Sequence, residues 1–110
     1  MNRPDQARVV KAQQDMRALE SALNMYRLDN YRYPTTNQGL QALVTKPAGQ
    51  PEAANWQQAY LDKLPKDPWG KPYLYLMPGK NGDFDLYTHG ADQRKGGEDS
   101  DADLGNWQLK

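Results

Sequence analysis

The sequence contains no cysteine, which excludes a disulfide framework, a thiolate zinc site and a cysteine nucleophile. That absence leaves the compartment open, because a protein without disulfides can live on either side of a membrane. Histidine occurs once, at His89, and serine twice, at Ser21 and Ser100. Ser21 falls inside a helical pattern, so a Ser-His-Asp triad would need a geometry that its template disfavours. Charge of one sign is also missing: fourteen Lys plus Arg balance fourteen Asp plus Glu, and no net field draws the chain to nucleic acid or anionic lipid. No apolar run approaches the roughly 18 residues needed to span a bilayer, and residues 1–6 lack the apolar core of a signal peptide. Phosphate-cradling glycine motifs between a strand and a helix are absent, and Gly96-Gly97 sits among carboxylates that would repel phosphate.

What is present fits one domain over residues 1–110, too short to bury two cores. Mean hydropathy is low at -1.04, yet three Trp, seven Tyr and well-spaced Leu supply bulky core candidates. Val9, Ala12, Met16, Leu19, Leu23 and Tyr26 alternate spacings of three and four, which predicts an amphipathic helix. Pro4-Asp5 suits its first turn, and the chain before Pro34 leaves the helix near Asn30. Thr35 and Gln38 have capping-box spacing ahead of Leu40, Leu43 and Val44, which predicts a second helix of about ten residues, stopped at Lys46-Pro47. A proline-punctuated loop follows, anchored by Trp56, Tyr60, Leu61 and Leu64. Residues 73–77 and 84–88 read as an antiparallel hairpin around the turn chemistry of residues 78–82, where Asn81-Gly82 tolerates positive φ. Residues 106–109 read as a third short strand. The expected class is α+β: a long N-terminal helix packed on a small antiparallel sheet.

One constellation points to chemistry. Asp92, Glu98, Asp99, Asp101 and Asp103 place five carboxylates within twelve residues, among Gly90, Gly96, Gly97 and Gly105. Crowded carboxylates repel one another, so a folded loop containing them favours a cation, and hard oxygen donors select calcium. An EF-hand fails, because Asp99, Asp101 and Asp103 fall at positions 1, 3 and 5, but Leu104 replaces the glycine and Lys110 the glutamate. From the residues alone, a solvated acidic loop partly neutralised by Arg94 and Lys95 is an equal alternative. Asp62, Asp67, Asp83 and Asp85 are available as a hydrolytic pair, but solvated surface carboxylates are commoner. Tyr26, Tyr31, Tyr33, Trp69 and Tyr73 read as core anchors ahead of a stacking platform.

Three blocks, Leu23-Asn24-Met25-Tyr26-Arg27-Leu28-Asp29-Asn30, Tyr33-Pro34-Thr35-Thr36-Asn37-Gln38-Gly39-Leu40-Gln41-Ala42-Leu43-Val44 and Leu64-Pro65-Lys66-Asp67-Pro68-Trp69-Gly70-Lys71-Pro72-Tyr73, occur in this order before Gly90-Ala91-Asp92 and Asp101-Ala102-Asp103-Leu104-Gly105-Asn106-Trp107. Together they resemble the major pseudopilins of bacterial type II secretion systems. The resemblance implies a pilin-like fold with a C-terminal calcium-binding loop. Asp92 and Asp99 are the implied carboxylate ligands, with Asp101 and Asp103 acting directly or from behind them. Backbone carbonyls are implied at His89, Gly97 and Asp101. Gln93 departs from a common family glycine and His89 from a common aliphatic residue. The implied function is structural and not enzymatic: copies polymerise into a pseudopilus that drives export of folded proteins across the outer membrane. Implied partners are other copies of the chain, minor pseudopilins and inner-membrane assembly components, with no nucleic acid. The full-length form is implied to be anchored in the inner membrane with this domain in the periplasm. Residues 1–110, lacking the hydrophobic segment that anchors family members, are expected to be soluble and monomeric. The alternative is a monomeric pilin-like binding module with an acidic surface loop.

Overall fold

The computed structural model describes residues 3–89 and 104–109. Helix α1 spans Arg3–Asn30, a length of about 42 Å at 1.5 Å per residue, so it sets the long dimension of the molecule, 46 Å. Ala12, Met16, Leu19, Leu23 and Tyr26 are buried along one stripe, as the spacing predicts, while Val9 is half-buried. Beyond Asn30, Tyr31 takes φ 70° and its N–H donates to the Arg27 carbonyl at 2.7 Å. That left-handed residue satisfies an orphan carbonyl of the last turn and ends the helix, in the place usually given to glycine.

The predicted second helix is not there. The capping box forms, with Thr35 N–H donating to Gln38 Oε1 at 2.9 Å and Gln38 N–H to Thr35 Oγ1 at 3.1 Å. Gly39, however, turns to φ 66°, outside helical space, and only a 3-10 helix at Leu40–Leu43 follows. A capping box fixes the first turn; the residues after it decide whether a helix propagates. Leu40, Ala42 and Leu43 still reach the core.

Strands β1 (Leu74–Leu76), β2 (Asp85–Thr88) and β3 (Leu104–Gly105) form an antiparallel sheet in the order β1-β2-β3. Tyr75 opposes Leu86 and Thr88 opposes Leu104. The expected third strand is misplaced by two residues: Asn106–Leu109 is a 3-10 helix, and the pairing belongs to Leu104–Gly105. Four residues carry too little periodicity to separate the two conformations. In the β1-β2 turn neither Asn81 nor Gly82 has positive φ. The Asp85 carboxylate holds the turn instead, accepting the N–H of Lys80 at 2.8 Å and of Asn81 at 3.2 Å.

The stripe of α1 meets Tyr73, Phe84 and Leu86 to form the core, with Tyr33, Trp56, Tyr60, Leu61 and Leu64 packed around it. The long loop is therefore pinned by its aromatics, as expected. Trp56 Nε1 donates to the Ala42 carbonyl at 2.7 Å, and the Leu43 carbonyl accepts the Tyr60 N–H at 2.8 Å. Among the described residues no helix is long and apolar enough to cross a membrane.

Candidate functional site

The acidic segment joins β2 to β3. His89 follows the last residue of β2 and Leu104 opens β3, so the Thr88–Leu104 pairing holds the two ends of the connection side by side. Asp92, Gly97, Asp99, Asp101 and Asp103 all lie outside the described residues. His89 is described: it is half-buried, its ring 5.4 Å from that of Tyr87, which lies 6.3 Å from Trp107. With Leu76, Lys80, Asn81 and Asp85 these three rings line a cavity of about 340 Å³. No cluster of three His, Cys, Asp or Glu occurs among the described residues.

Two buried polar residues fix the frame that carries this connection. Asp67, 3% exposed, accepts at Oδ1 the N–H of Trp69 at 3.0 Å and of Lys71 at 2.8 Å. Its Oδ2 accepts the Thr88 hydroxyl at 2.5 Å. An aspartate followed by Pro-Trp-Gly thus closes its own turn and reaches the end of β2, next to His89. Asn106, 5% exposed, accepts the Leu86 N–H at 3.0 Å and donates to the Phe84 carbonyl at 3.3 Å and to Glu20 Oε2 at 3.1 Å. One side chain thereby ties α1, β2 and the segment after β3 together.

Neither residue stands out as structural in the sequence. Asp67 is read there only as one of several acids, although Asp-Pro-Trp-Gly is a turn signature in which aspartate bonds its own backbone two residues on. Asn106 leaves no signal, because its partners lie 20 and 86 residues away. The four acids considered as a hydrolytic pair divide by environment: Asp67 and Asp85 are consumed by backbone turns, and Asp62 and Asp83 are exposed.

Tyrosine hydroxyls complete the frame. Tyr73 donates to Asp15 Oδ2 at 2.8 Å, and Lys11 Nζ reaches the same oxygen at 2.6 Å. Burial first, and then the Asp15 hydrogen bond, pushes Tyr73 well above the usual phenol range. Tyr75 is raised chiefly by burial, and its hydroxyl donates to the Pro34 carbonyl at 2.6 Å. Tyr26 and Tyr73 are buried and Tyr33 packs against the core, so these rings are not a stacking platform; Tyr31, 82% exposed, is the exception.

A family model described as "Type II secretion system (T2SS), protein G" matches residues 1–107. The chain belongs to this family. A type II secretion system core protein G of Pseudomonas aeruginosa is 59% identical over 108 residues, covering 97% of this chain and 76% of the relative. The core protein G of Vibrio cholerae is 55% identical over 101 residues, covering 91% of this chain and 68% of the relative. Among solved structures, the major pseudopilin from the type 2 secretion system of enterohaemorrhagic Escherichia coli superposes with a TM-score of 0.86 at 52% identity. That match covers 96% of this chain and 90% of the other. The pseudopilin expected from the ordered sequence blocks is borne out, as is the long helix on a small antiparallel sheet. Protein G of this system is a structural subunit, and nothing among the described residues favours the binding-module alternative.

Proposed function

We propose that copies of this chain polymerise into the pseudopilus of a type II secretion system and drive export of folded proteins across the outer membrane. The observation that carries this reading is the superposition on a major pseudopilin over nearly the whole chain at 52% identity. The subunit acts by being added to a filament at the inner membrane, with this domain in the periplasm, alongside minor pseudopilins and the inner-membrane assembly components. Addition of a rigid subunit performs the work, so the protein needs packing surfaces and stability, and no catalytic centre. Deleting the protein from its host is expected to stop export of type II substrates and abolish the filament, with both restored on re-expression. Normal export without it would overturn the reading.

Calcium belongs to the same proposal. Asp92 and Asp99 are the leading ligands, with Asp101 and Asp103 beside them and backbone carbonyls of His89 and Gly97 completing an oxygen shell. The donor chemistry supports this, since five carboxylates face only two basic residues within residues 90–103 and hard oxygens favour calcium. The paired strand ends support it too: a connection closed at Thr88 and Leu104 starts with part of its loop-closure entropy already spent. Bound calcium would neutralise the carboxylates and clamp the connection to the sheet. A ligand binding only the folded state stabilises it by about 2.7 kcal/mol at a hundredfold excess over Kd. Melting with calcium and with chelator tests this, and identical midpoints would remove calcium from the proposal.

A further inference from the structure

The C-terminal end of α1 carries an apolar ridge that the fold does not use. Met25 is 55% exposed, Leu28 73% and Tyr31 82%, three large apolar side chains within seven residues. Tyr31 also occupies left-handed backbone, which is unfavourable for a residue with a Cβ, and its ring gains little burial in return. Arg32 follows it, exposed. Elsewhere on the same chain, Glu20, Asn24, Tyr33, Asp83 and Trp107 line a groove of about 340 Å³. Glu20 already accepts from Asn106, and Asp85 in the floor is committed to the 80s turn. Asp83 is exposed, and neither it nor Arg32 forms an ion pair among the described residues.

We propose that the Met25-Leu28-Tyr31 ridge of one copy docks in the Asn24-Tyr33-Asp83-Trp107 groove of a second copy, with Arg32 facing Asp83. This rests on the filament reading above and names the surfaces through which neighbouring subunits touch. The charges select the occupant: among the described residues neither the ridge's cation nor the groove's exposed carboxylate forms an ion pair, and Tyr33 and Trp107 offer ring surface to Leu28 and Tyr31 within a mainly polar lining. Ridge and groove are different patches of the chain: Leu28 stands one turn beyond Asn24 and about 12 Å further along α1 than Glu20. A contact between two different patches propagates into a helical polymer when its rotation does not close. Three side chains bury far less than the roughly 1,200 Å² of a stable standard interface, so each contact is weak and acts by repetition along the filament.

The test uses the full-length protein in cells that assemble the filament, and residues 1–110 contain no native cysteine to compete in the cross-linking. Leu28→Cys combined with Asp83→Cys is expected to give a ladder of dimers, trimers and longer species on oxidation. Leu28→Cys with Gln41→Cys, which pairs the ridge with the exposed Gln41 outside the groove, is the control. In a separate cross-link between Leu28→Cys and Gly82→Cys, an exposed groove position, Arg32→Asp should lower ladder yield about two- to fivefold, the range of an exposed ion pair, and adding Asp83→Arg should restore it. Filaments and export that persist with no more ladder than the control would overturn the docking and leave the filament reading intact. Absence of filament from the unmodified protein would instead remove the filament reading, and this proposal with it.

Discussion

Replacing Asp67 by alanine tests whether one buried carboxylate organises the base of the acidic connection. The substitution removes the acceptor for two backbone N–H groups, at Trp69 and Lys71, and for the Thr88 hydroxyl. Thr88 is 1% exposed, so its hydroxyl has no ready access to water. Hydrogen bonds to a charged group contribute about 1.5–3 kcal/mol each, but bonds sharing one acceptor are not additive, and we expect a total loss of about 3–5 kcal/mol. At about 4 °C or more per kcal/mol for a small domain, the melting midpoint should fall by at least about 12 °C. Urea unfolding followed by tryptophan fluorescence measures the loss. Asp67→Asn keeps an acceptor for the two N–H groups and should lose less. A double-mutant cycle with Thr88→Val should show coupling, because removing both partners leaves no buried hydroxyl unpaired. A loss below about 1 kcal/mol for Asp67→Ala, the scale of an ordinary surface change, would refute the assignment.

Asn106→Ala should destabilise by about 2–3 kcal/mol by leaving the buried Leu86 N–H without its acceptor, read from the same unfolding curves. Tyr31→Gly should raise stability of the isolated chain by up to about 1 kcal/mol, since glycine adopts the observed φ without strain; in filaments it should weaken cross-linking through the ridge. Asp92→Ala and Asp99→Ala should each abolish a calcium-dependent rise in melting temperature while leaving the chelator-treated midpoint nearly unchanged. Stability should also fall in alkali: burial and the Asp29 hydrogen bond push Tyr60 from 10.0 up to about 12, so the folded state holds its proton where the unfolded state has lost it. This stabilisation is complete below pH 10 and disappears as pH rises to about 12. Tyr73 and Tyr75 act in the same direction. The tyrosinate absorbance of Tyr26, Tyr60, Tyr73 and Tyr75 should rise late and together with unfolding; an early rise of these four, independent of unfolding, would contradict the burial.

Helix α1 was legible because its apolar spacing extends over five turns, long enough for a 3.6-residue period to stand out from chance. The hairpin was legible in its strands and not in its turn, where Asn81-Gly82 pointed to a positive-φ geometry and the structure uses Asp85 as an acceptor instead. Thr35 and Gln38 spell a helix start that is chemically real, yet Gly39 stops it after one turn. The third strand was off by two residues because two-residue pairing depends on what lies opposite, here Tyr87 and Thr88. In the candidate site, the carboxylates of residues 90–103 could be read off the chain, and Asp92 and Asp99 only through family resemblance. Of the residues that fix the ends of the connection, Asp67 was signalled by Asp-Pro-Trp-Gly only as a turn and not in its reach to Thr88, and Asn106 left no signal.

By itself, then, the sequence determined the long helix, its buried stripe, the class of fold and, through blocks in a fixed order, membership in a family of secretion pseudopilins. These are properties carried by local periodicity or by runs of adjacent residues. Tertiary structure alone decided that Asn106 joins Glu20 to Phe84 and Leu86, that Asp67 reaches Thr88, and that Met25, Leu28 and Tyr31 remain on the outside. Each depends on partners far apart in the chain. A buried polar group must find them wherever the fold brings them, and an apolar residue is exposed only if no other element comes to cover it.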